Sequence, residues 1–277
     1  MNYLVLGSSG QIGSQLVNFL IERGKSVDTF DIVDDSLEDL RIKDNELLQR
    51  KIQKSDFIFF LAFDVGGSRY LSKYQHTFDF LQNNIKLMSN TFDCLKKHQK
   101  PFIFASSQMS NMSYSPYGVA KAVGERFTDS LGGLVVKFWN VYGPEKDLDK
   151  AHVITDFILK AKNSGVIDMM TDGTEVRQFL HADDCSRCLL IMSEQFESLD
   201  KEKEYHITNF KWNSIKEIAE IIAAAFENAH VIPAKSKDVV QKDKRNEPDE
   251  YILNFWNPEI DIEEGIKMII EQMEKIK

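Results

Sequence analysis

Cysteine is scarce in this chain of 277 residues, which holds three. Such a low count suits a reducing compartment. Cys185 and Cys188 form a Cys-x-x-Cys, but no second ligand pair follows to make a zinc site of it. With Leu189 and Met192 they fall at i, i+3, i+4 and i+7, which is the buried stripe of a helix, so no metal is expected. Long apolar runs are absent too. None approaches the roughly 20 residues that span a bilayer, and no membrane partner is expected. Low-complexity tracts and internal repeats are missing, which excludes a repeat architecture and argues against disorder. Positive charge is in deficit: 34 Lys and Arg stand against 43 Asp and Glu, a net charge of −9. Phosphate-backbone binding requires a concentrated basic face, so nucleic acid is not the expected partner.

What is present begins at the first residues. Residues 2–6 are a short apolar run leading directly into Gly7-Ser8-Ser9-Gly10-Gln11-Ile12-Gly13. Leu16, Val17, Leu20 and Ile21 then recur at helical spacing, Gly24 closes the helix, and a second strand over 26–30 ends at Asp31. Strand, glycine turn, helix, strand and acid make a dinucleotide site. Gly7 permits the tight turn, Gly10 lets backbone N–H groups approach a pyrophosphate, and Gly13 lets helix and strand pack closely. Asp31 then meets the adenosine ribose hydroxyls. It would repel a 2′-phosphate, and residues 32–40 contain no Arg or Lys to neutralise one, so NAD is favoured over NADP. A chain that starts directly in a strand leaves no room for a signal peptide, and the cytoplasm is the expected compartment.

The spacing Gly-x-x-Gly-x-x-Gly resembles that of the extended short-chain dehydrogenase/reductase family, the nucleotide-sugar epimerases and dehydratases. The implied fold is α/β: a Rossmann-type doubly wound parallel sheet with a smaller C-terminal α/β substrate lobe. Gln11 and Ile12 in the glycine loop, and Leu61 and Ala62 at the end of an apolar strand over 56–61, would line the cofactor with the glycines. Consecutive apolar residues 57–62 mark that strand as covered on both faces. Its end resembles the family's His-Leu-Ala-Ala, with Phe60 and Phe63 replacing the His and the second Ala. The loop 65–68 follows where the family places residues facing the nicotinamide and the sugar. From about 70 to 97 runs a long helical segment whose Phe78, Leu81, Ile85, Met88, Phe92 and Leu95 form a heptad seam. The seam either packs on the sheet or pairs with a second subunit; the family uses this helix for dimers, and a homodimer is expected. Asn84 resembles the family's Asn beside the cofactor, the alternative being a solvated polar face.

A buried strand over 101–105 ends in Ser106-Ser107, and Tyr117 stands ten residues after Ser107. Ser115-Pro116 reads as N-cap and first helical position, which puts Tyr117 in the first turn and Lys121 one turn later on the same face. Serine, tyrosine and lysine at the carboxyl end of such a sheet suit hydride transfer between a carbinol and NAD. The hydroxyl proton must leave with the hydride, so a base is needed near neutral pH, whereas a free tyrosine titrates near ~10. Lys121 and the positive nicotinamide would lower that value, and Lys121 would also hold ribose hydroxyls. Ser107 would orient the substrate oxygen; Ser106 is the alternative, and the family's motif places the role on the last serine of the run.

Residues 133–144 read as one strand ending in a turn and resemble the family's Arg-x-x-Asn-x-Tyr-Gly-Pro. Asn140 would approach the substrate pyrophosphate, and Lys137 replaces the usual Arg. The regular alternation stops there, which sets a boundary near 148: residues 1–148 as the NAD-binding domain and 149–277 mainly as the substrate lobe, with some strands free to return to the large sheet. Residues 172–184 resemble the family's Gly-x-x-x-Arg-Asp-Phe-x-x-Val-x-Asp, which makes Arg177 the candidate for the nucleotide end of the substrate. Asp183 and Asp184 read as N-cap and first-turn acid of the next helix. Ser214 and Glu217 form a capping box. Arg245 sits where the family has an Arg that closes on the diphosphate, and a final helix is expected over 266–276. The Asp-Glu pair of sugar 4,6-dehydratases is replaced by Gln108 and Met109, which disfavours dehydration. The resemblance therefore implies an NAD-dependent nucleotide-sugar epimerase acting at C4 through a transient 4-keto sugar. The alternatives are a 4-ketoreductase or dehydrogenase, and, from another class, a non-catalytic NAD-binding sensor or scaffold.

Overall fold

The computed structural model describes residues 1–145, 147–241 and 246–275. In chain order its first half runs β1 (Asn2–Leu6), α1 (Gln11–Glu22), β2 (Ser26–Phe30), α2 (Glu46–Lys54), β3 (Phe57–Phe60), α3 (Ser68–Tyr74), α4 (Phe78–His98), β4 (Phe102–Ser107), α5 (Pro116–Leu131) and β5 (Leu134–Phe138). The second half runs β6 (Asn140–Tyr142), α6 (Val153–Ser164), β7 (Val166–Asp168), β8 (Val176–His181), α7 (Ala182–Glu194), β9 (Tyr205–Ile207), β10 (Trp212–Ser214), α8 (Ile215–Ala224), β11 (His230–Ile232) and α9 (Ile262–Lys275).

Side-chain alternation on the strands builds a sheet buried on both faces. Tyr3 and Val5 of β1 and Phe57 and Phe59 of β3 join Leu16 and Leu20 of α1 and Cys185 and Leu189 of α7 in one core. The intervening Leu4, Leu6, Ile58 and Phe60 face Leu48 and Ile52 of α2, Met88 and Phe92 of α4, and Ala120 of α5. That division is why the strands read as unbroken apolar runs. The sheet has the order β2-β1-β3-β4-β5-β9, and every neighbouring pair is parallel. This is the expected α/β doubly wound architecture, and its strand order reverses between β1 and β3. Cys94, Cys185 and Cys188 are free and buried. Among the described residues no helix is long and apolar enough to cross a membrane.

The second lobe rests on two small sheets, β10-β8-β6 and β11-β7. Its core joins Ile154 and Ile158 of α6, Ile218 and Ile222 of α8, and Ile266 and Ile269 of α9. Ser214 and Glu217 close the capping box that starts α8.

Several boundaries differ from expectation, each for a local reason. The helical run over 70–97 breaks in two because Thr77 caps α4, its Oγ1 accepting from Phe80 N. The seam on α4 then divides: Met88, Phe92 and Leu95 are buried, whereas Phe78 is 72% and Ile85 43% exposed. The strand over 133–144 breaks at Trp139, with β5 in the large sheet and β6 paired to β8. The return to the large sheet that the division at 148 left open is made by β9, which pairs with β5, while α7 packs on α1. The N-cap of α7 is His181, whose Nδ1 accepts from Asp183 N, and not Asp183 itself. Asp184 is buried and accepts from Glu259 N and Ile260 N, which ties the approach to α9 onto the large sheet.

Candidate active site

Where the strand order reverses, the carboxyl ends of β1 and β3 open a cleft of about 550 Å³, the place at which open α/β sheets bind ligands. Gly7, Gly10, Gln11, Ile12, Gly13, Asp31, Leu61 and Ala62 all line it. The glycine loop is tight. Gly7 has φ +86°, and a Cβ there would lie 2.6 Å from Ala62 N, while one on Gly13 would lie 2.0 Å from the Gly7 carbonyl oxygen. Gly10 caps α1 without a side-chain bond. The helix's first N–H groups and its dipole are thus left for an anion. Gln11 Nε2 is buried without a partner beside them. The Asp31 carboxylate accepts from Ser9 N at 2.9 Å and Val33 N at 3.0 Å, which holds it at the cleft rim. Arg41 also lines this end, one position past the cation-free stretch, but its guanidinium is bound to Asp39 at 2.8 Å. Asp31, Glu38 and Asp39 line the same end, Glu38 being paired with Lys51 and Asp39 with Arg41, which leaves the Asp31 carboxylate without a cation among the described residues. These residues fit a dinucleotide without a 2′-phosphate.

At the other end of the cleft, β4 delivers Ser106 and Ser107. Ser106 Oγ donates to the buried Glu125 carboxylate and is occupied. Ser107 Oγ accepts from Met109 N at 3.1 Å, and its hydroxyl acts on the Tyr117 phenol, keeping it below where burial alone would put it. Of the two serines, Ser106 is thus engaged by Glu125 and Ser107 acts on Tyr117. Tyr117 is placed by the start of α5: Ser115 Oγ accepts from Gly118 N and Pro116 occupies the first turn. Lys121 follows one turn later, its Nζ donating to Ala105 O at 2.6 Å and lying 3.8 Å from the centroid of the Phe63 ring. That ring meets Tyr117 edge-on, with centroids 5.6 Å apart. Burial pushes the Tyr117 phenol up to about 12, with the Ser107 hydroxyl opposing it, and pushes the Lys121 ammonium down to about 7, with Glu125 opposing it. The expected lowering of the tyrosine is therefore not a property of the protein groups alone, because desolvation outweighs them.

Two expected ligand contacts fall outside the cleft lining, and a third lies outside the described residues. Asn84 is fully buried and does not line the cleft; its Oδ1 accepts from Asp64 N at 2.8 Å and its Nδ2 donates to Asp64 O and Phe80 O, so it braces the loop after β3. Its neighbour Asn83 lines the cleft instead. Arg177 is outside the cleft lining, paired with Asp238, with a second nitrogen donating to Val176 O. Arg245 lies outside the described residues. Asn140 lines the cleft, with Nδ2 donating to Gln178 O at 3.2 Å.

Other residues also line the cleft. Phe63 and Trp139 are single aromatics without a periodic pattern. Gln108 is held at both ends of its amide, Nε2 donating to Gln241 Oε1 and Oε1 accepting from Asn246 Nδ2, across more than a hundred residues of chain. Lys150 pairs with Asp64 at 3.1 Å and His152 with Glu145 at 2.6 Å along the rim.

The arrangement has known counterparts. A family model described as the NAD dependent epimerase/dehydratase family matches residues 3–208. A putative UDP-glucose 4-epimerase of Methanocaldococcus jannaschii is 26% identical over an alignment covering 98% of this chain and 97% of that protein. An epimerase structure from Methanothermobacter thermautotrophicus superposes with a TM-score of 0.84 at 21% identity, covering 99% of this chain and 92% of its own. The UDP-glucose 4-epimerase of Thermus thermophilus, solved in complex with NAD, does so with a TM-score of 0.79 at 18% identity over the whole of both chains.

Proposed function

The chain belongs to the NAD dependent epimerase/dehydratase family, and we propose that it is a nucleotide-sugar 4-epimerase acting at C4 of a nucleoside-diphosphate hexose. The observation that carries this reading is the placement of Ser107, Tyr117 and Lys121 together on the wall of the glycine-loop cleft, with Lys121 buried and its Nζ held by Ala105 O. NAD held by the glycine loop and Asp31 would supply the hydride-accepting and hydride-donating chemistry. Tyr117 Oη takes the proton of the C4 hydroxyl and later returns it. Ser107 orients that oxygen, and Lys121 stabilises the phenolate and holds ribose hydroxyls. Asn140 approaches the diphosphate; Arg177 would reach the nucleotide only by leaving Asp238.

The neighbourhood of Ser107 supports epimerisation over elimination. A dehydratase needs an acid and a base next to the serine, whereas Gln108 here is neutral and tied to Gln241 and Asn246, and Met109 is buried in an apolar cluster with Tyr117. A retained Tyr117 and Lys121 also weigh against a non-catalytic scaffold. The test is incubation with UDP-, GDP-, CDP- and dTDP-sugars, read by mass and NMR. A product isomeric with its substrate, formed without added cofactor, is the expected result. A product differing by two hydrogens, with stoichiometric cofactor consumption, would instead make the protein a ketoreductase or dehydrogenase.

The same reading makes the protein a homodimer. Phe78 and Ile85 on α4 and Val119, Val123 and Phe127 on α5 are between 39% and 72% exposed. Two neighbouring helices with such a shared apolar face suit a two-fold four-helix interface. Three free thiols suit a reducing compartment, the cytoplasm.

A further inference from the structure

Trp139 stands at the carboxyl edge of the large sheet. The preceding Phe138 is paired in register with Ser107, so the indole meets the cleft one residue beyond the serine that faces Tyr117, and it lines the wall there. Its orientation is held from behind. The indole Nε1–H donates to His206 Nδ1 at 3.1 Å, and Trp212 packs edge-on with ring centroids 5.6 Å apart. An indole N–H can only donate, so His206 Nδ1 must be unprotonated and the ring proton must sit on Nε2. From there it donates to Glu204 Oε2 at 2.9 Å. The other oxygen of that carboxylate accepts from Lys137 Nζ at 2.6 Å, and Glu125 Oε2 lies 3.8 Å from the same ammonium.

Lys137 is only 2% exposed. Burying an ammonium costs several kcal/mol and is recovered only in part by pairing, so stability alone is a poor account of this chain of groups. What the chain does achieve is to fix one histidine tautomer and, through it, one indole orientation at the cleft. His206 stays neutral in this setting: burial pushes its imidazole below the usual range, Lys137 acts in the same direction, and Glu204 and Asp249 oppose both.

We propose that Trp139 is the platform on which the sugar ring of the substrate packs, and that Lys137, Glu204 and His206 are positioning residues that hold its indole in place. The proposal rests on the nucleotide-sugar reading. A hexose presents faces of C–H groups and a rim of hydroxyls. An aromatic ring whose one polar atom is already satisfied by His206 matches the first, and leaves a hydroxyl to Ser107 and Tyr117.

The test is calorimetric titration of the NAD-loaded protein with UDP-, GDP-, CDP- and dTDP-hexoses and with the matching free nucleoside diphosphates. Trp139→Ala should weaken the hexose conjugate about tenfold and leave the free diphosphate unchanged. Trp139→Phe, which keeps a ring, should lose less. Trp139→Leu gives the same comparison if the alanine variant folds poorly. In kinetics, His206→Phe should raise KM with little change in kcat, and His206→Asn, whose Oδ1 can stand in for Nδ1 as acceptor, should restore KM. An alanine or leucine variant that binds the conjugate like wild type, or that loses the free diphosphate equally, overturns the platform. An asparagine variant no better than the phenylalanine one overturns the positioning role. Wild-type protein that binds none of the conjugates overturns the functional reading itself, which is seen before any substitution is made.

Discussion

Replacing Tyr117 by Phe removes one oxygen and keeps everything else the residue touches. The ring is buried and packs edge-on against Phe63, and a phenylalanine retains that contact. Ser107 keeps its bond from Met109 N, so the serine stays in place. The structural cost is at most the polar contact of one buried hydroxyl, about 1 kcal/mol. Tm should therefore move by only a few degrees, and NAD binding should persist. The chemical cost is far larger. A positioned acid–base group contributes typically 10² to 10⁴ in rate, or about 3 to 5 kcal/mol in barrier. The loss should fall on kcat and leave KM nearly unchanged, because the ring still shapes the site. The assay is epimer formation from the nucleotide sugar identified by the panel, followed by NMR, with melting and NAD titration on the same preparation. A Phe variant that keeps more than about a tenth of wild-type kcat, far above what loss of a base should leave, refutes the assignment of Tyr117 even though the fold stands.

The other expectations concern the cofactor end, the lysine and the subunit contact. Lys121 is held down to about 7 against 10.5 for the free side chain; the unfolded chain then binds more protons between those values, so this residue makes the fold gain stability as pH rises from 7 towards 10.5. In Lys121→Met that gain should vanish from melting curves compared at pH 7 and 9.5, and NAD should bind more weakly; an unchanged pH dependence would contradict the buried ammonium. Asp31→Ala should erode the preference for NAD over NADP and also loosen the glycine loop, since Asp31 holds Ser9 N and Val33 N; equal thermal shifts by the two dinucleotides on wild-type protein would count against the carboxylate argument. Ile85→Glu, on the exposed part of α4, should dissociate the dimer in sedimentation while leaving the protomer folded, whereas Met88→Glu, at 1% exposure, should unfold it. A wild-type monomer at micromolar concentration would remove the basis for the first of these.

Much of this molecule could be read from consecutive residues. The Gly7 to Gly13 spacing, the apolar run of β3, the Ser115-Pro116 start of α5 and the Ser214–Glu217 box are demands of backbone geometry and periodicity, and these act over a turn or a strand. They were sufficient for the parallel sheet, the cleft at its switch point, and the placing of Ser107, Tyr117 and Lys121 along one wall. The sequence by itself could not show which partner each polar side chain would take. Asn84 was matched to the cofactor and instead braces Asp64; Arg177 was matched to the nucleotide and instead pairs with Asp238, 61 residues away. Lys137 had no reading at all until β9 returned to the sheet and brought Glu204 and His206 beside it. The path to 12 for Tyr117 rather than downward was equally invisible, because it depends on how completely neighbouring elements exclude water. Local structure is set by interactions within a few residues and so is written in the order of the chain, whereas pairing, burial and desolvation depend on which distant segments meet, and only the folded arrangement decides that.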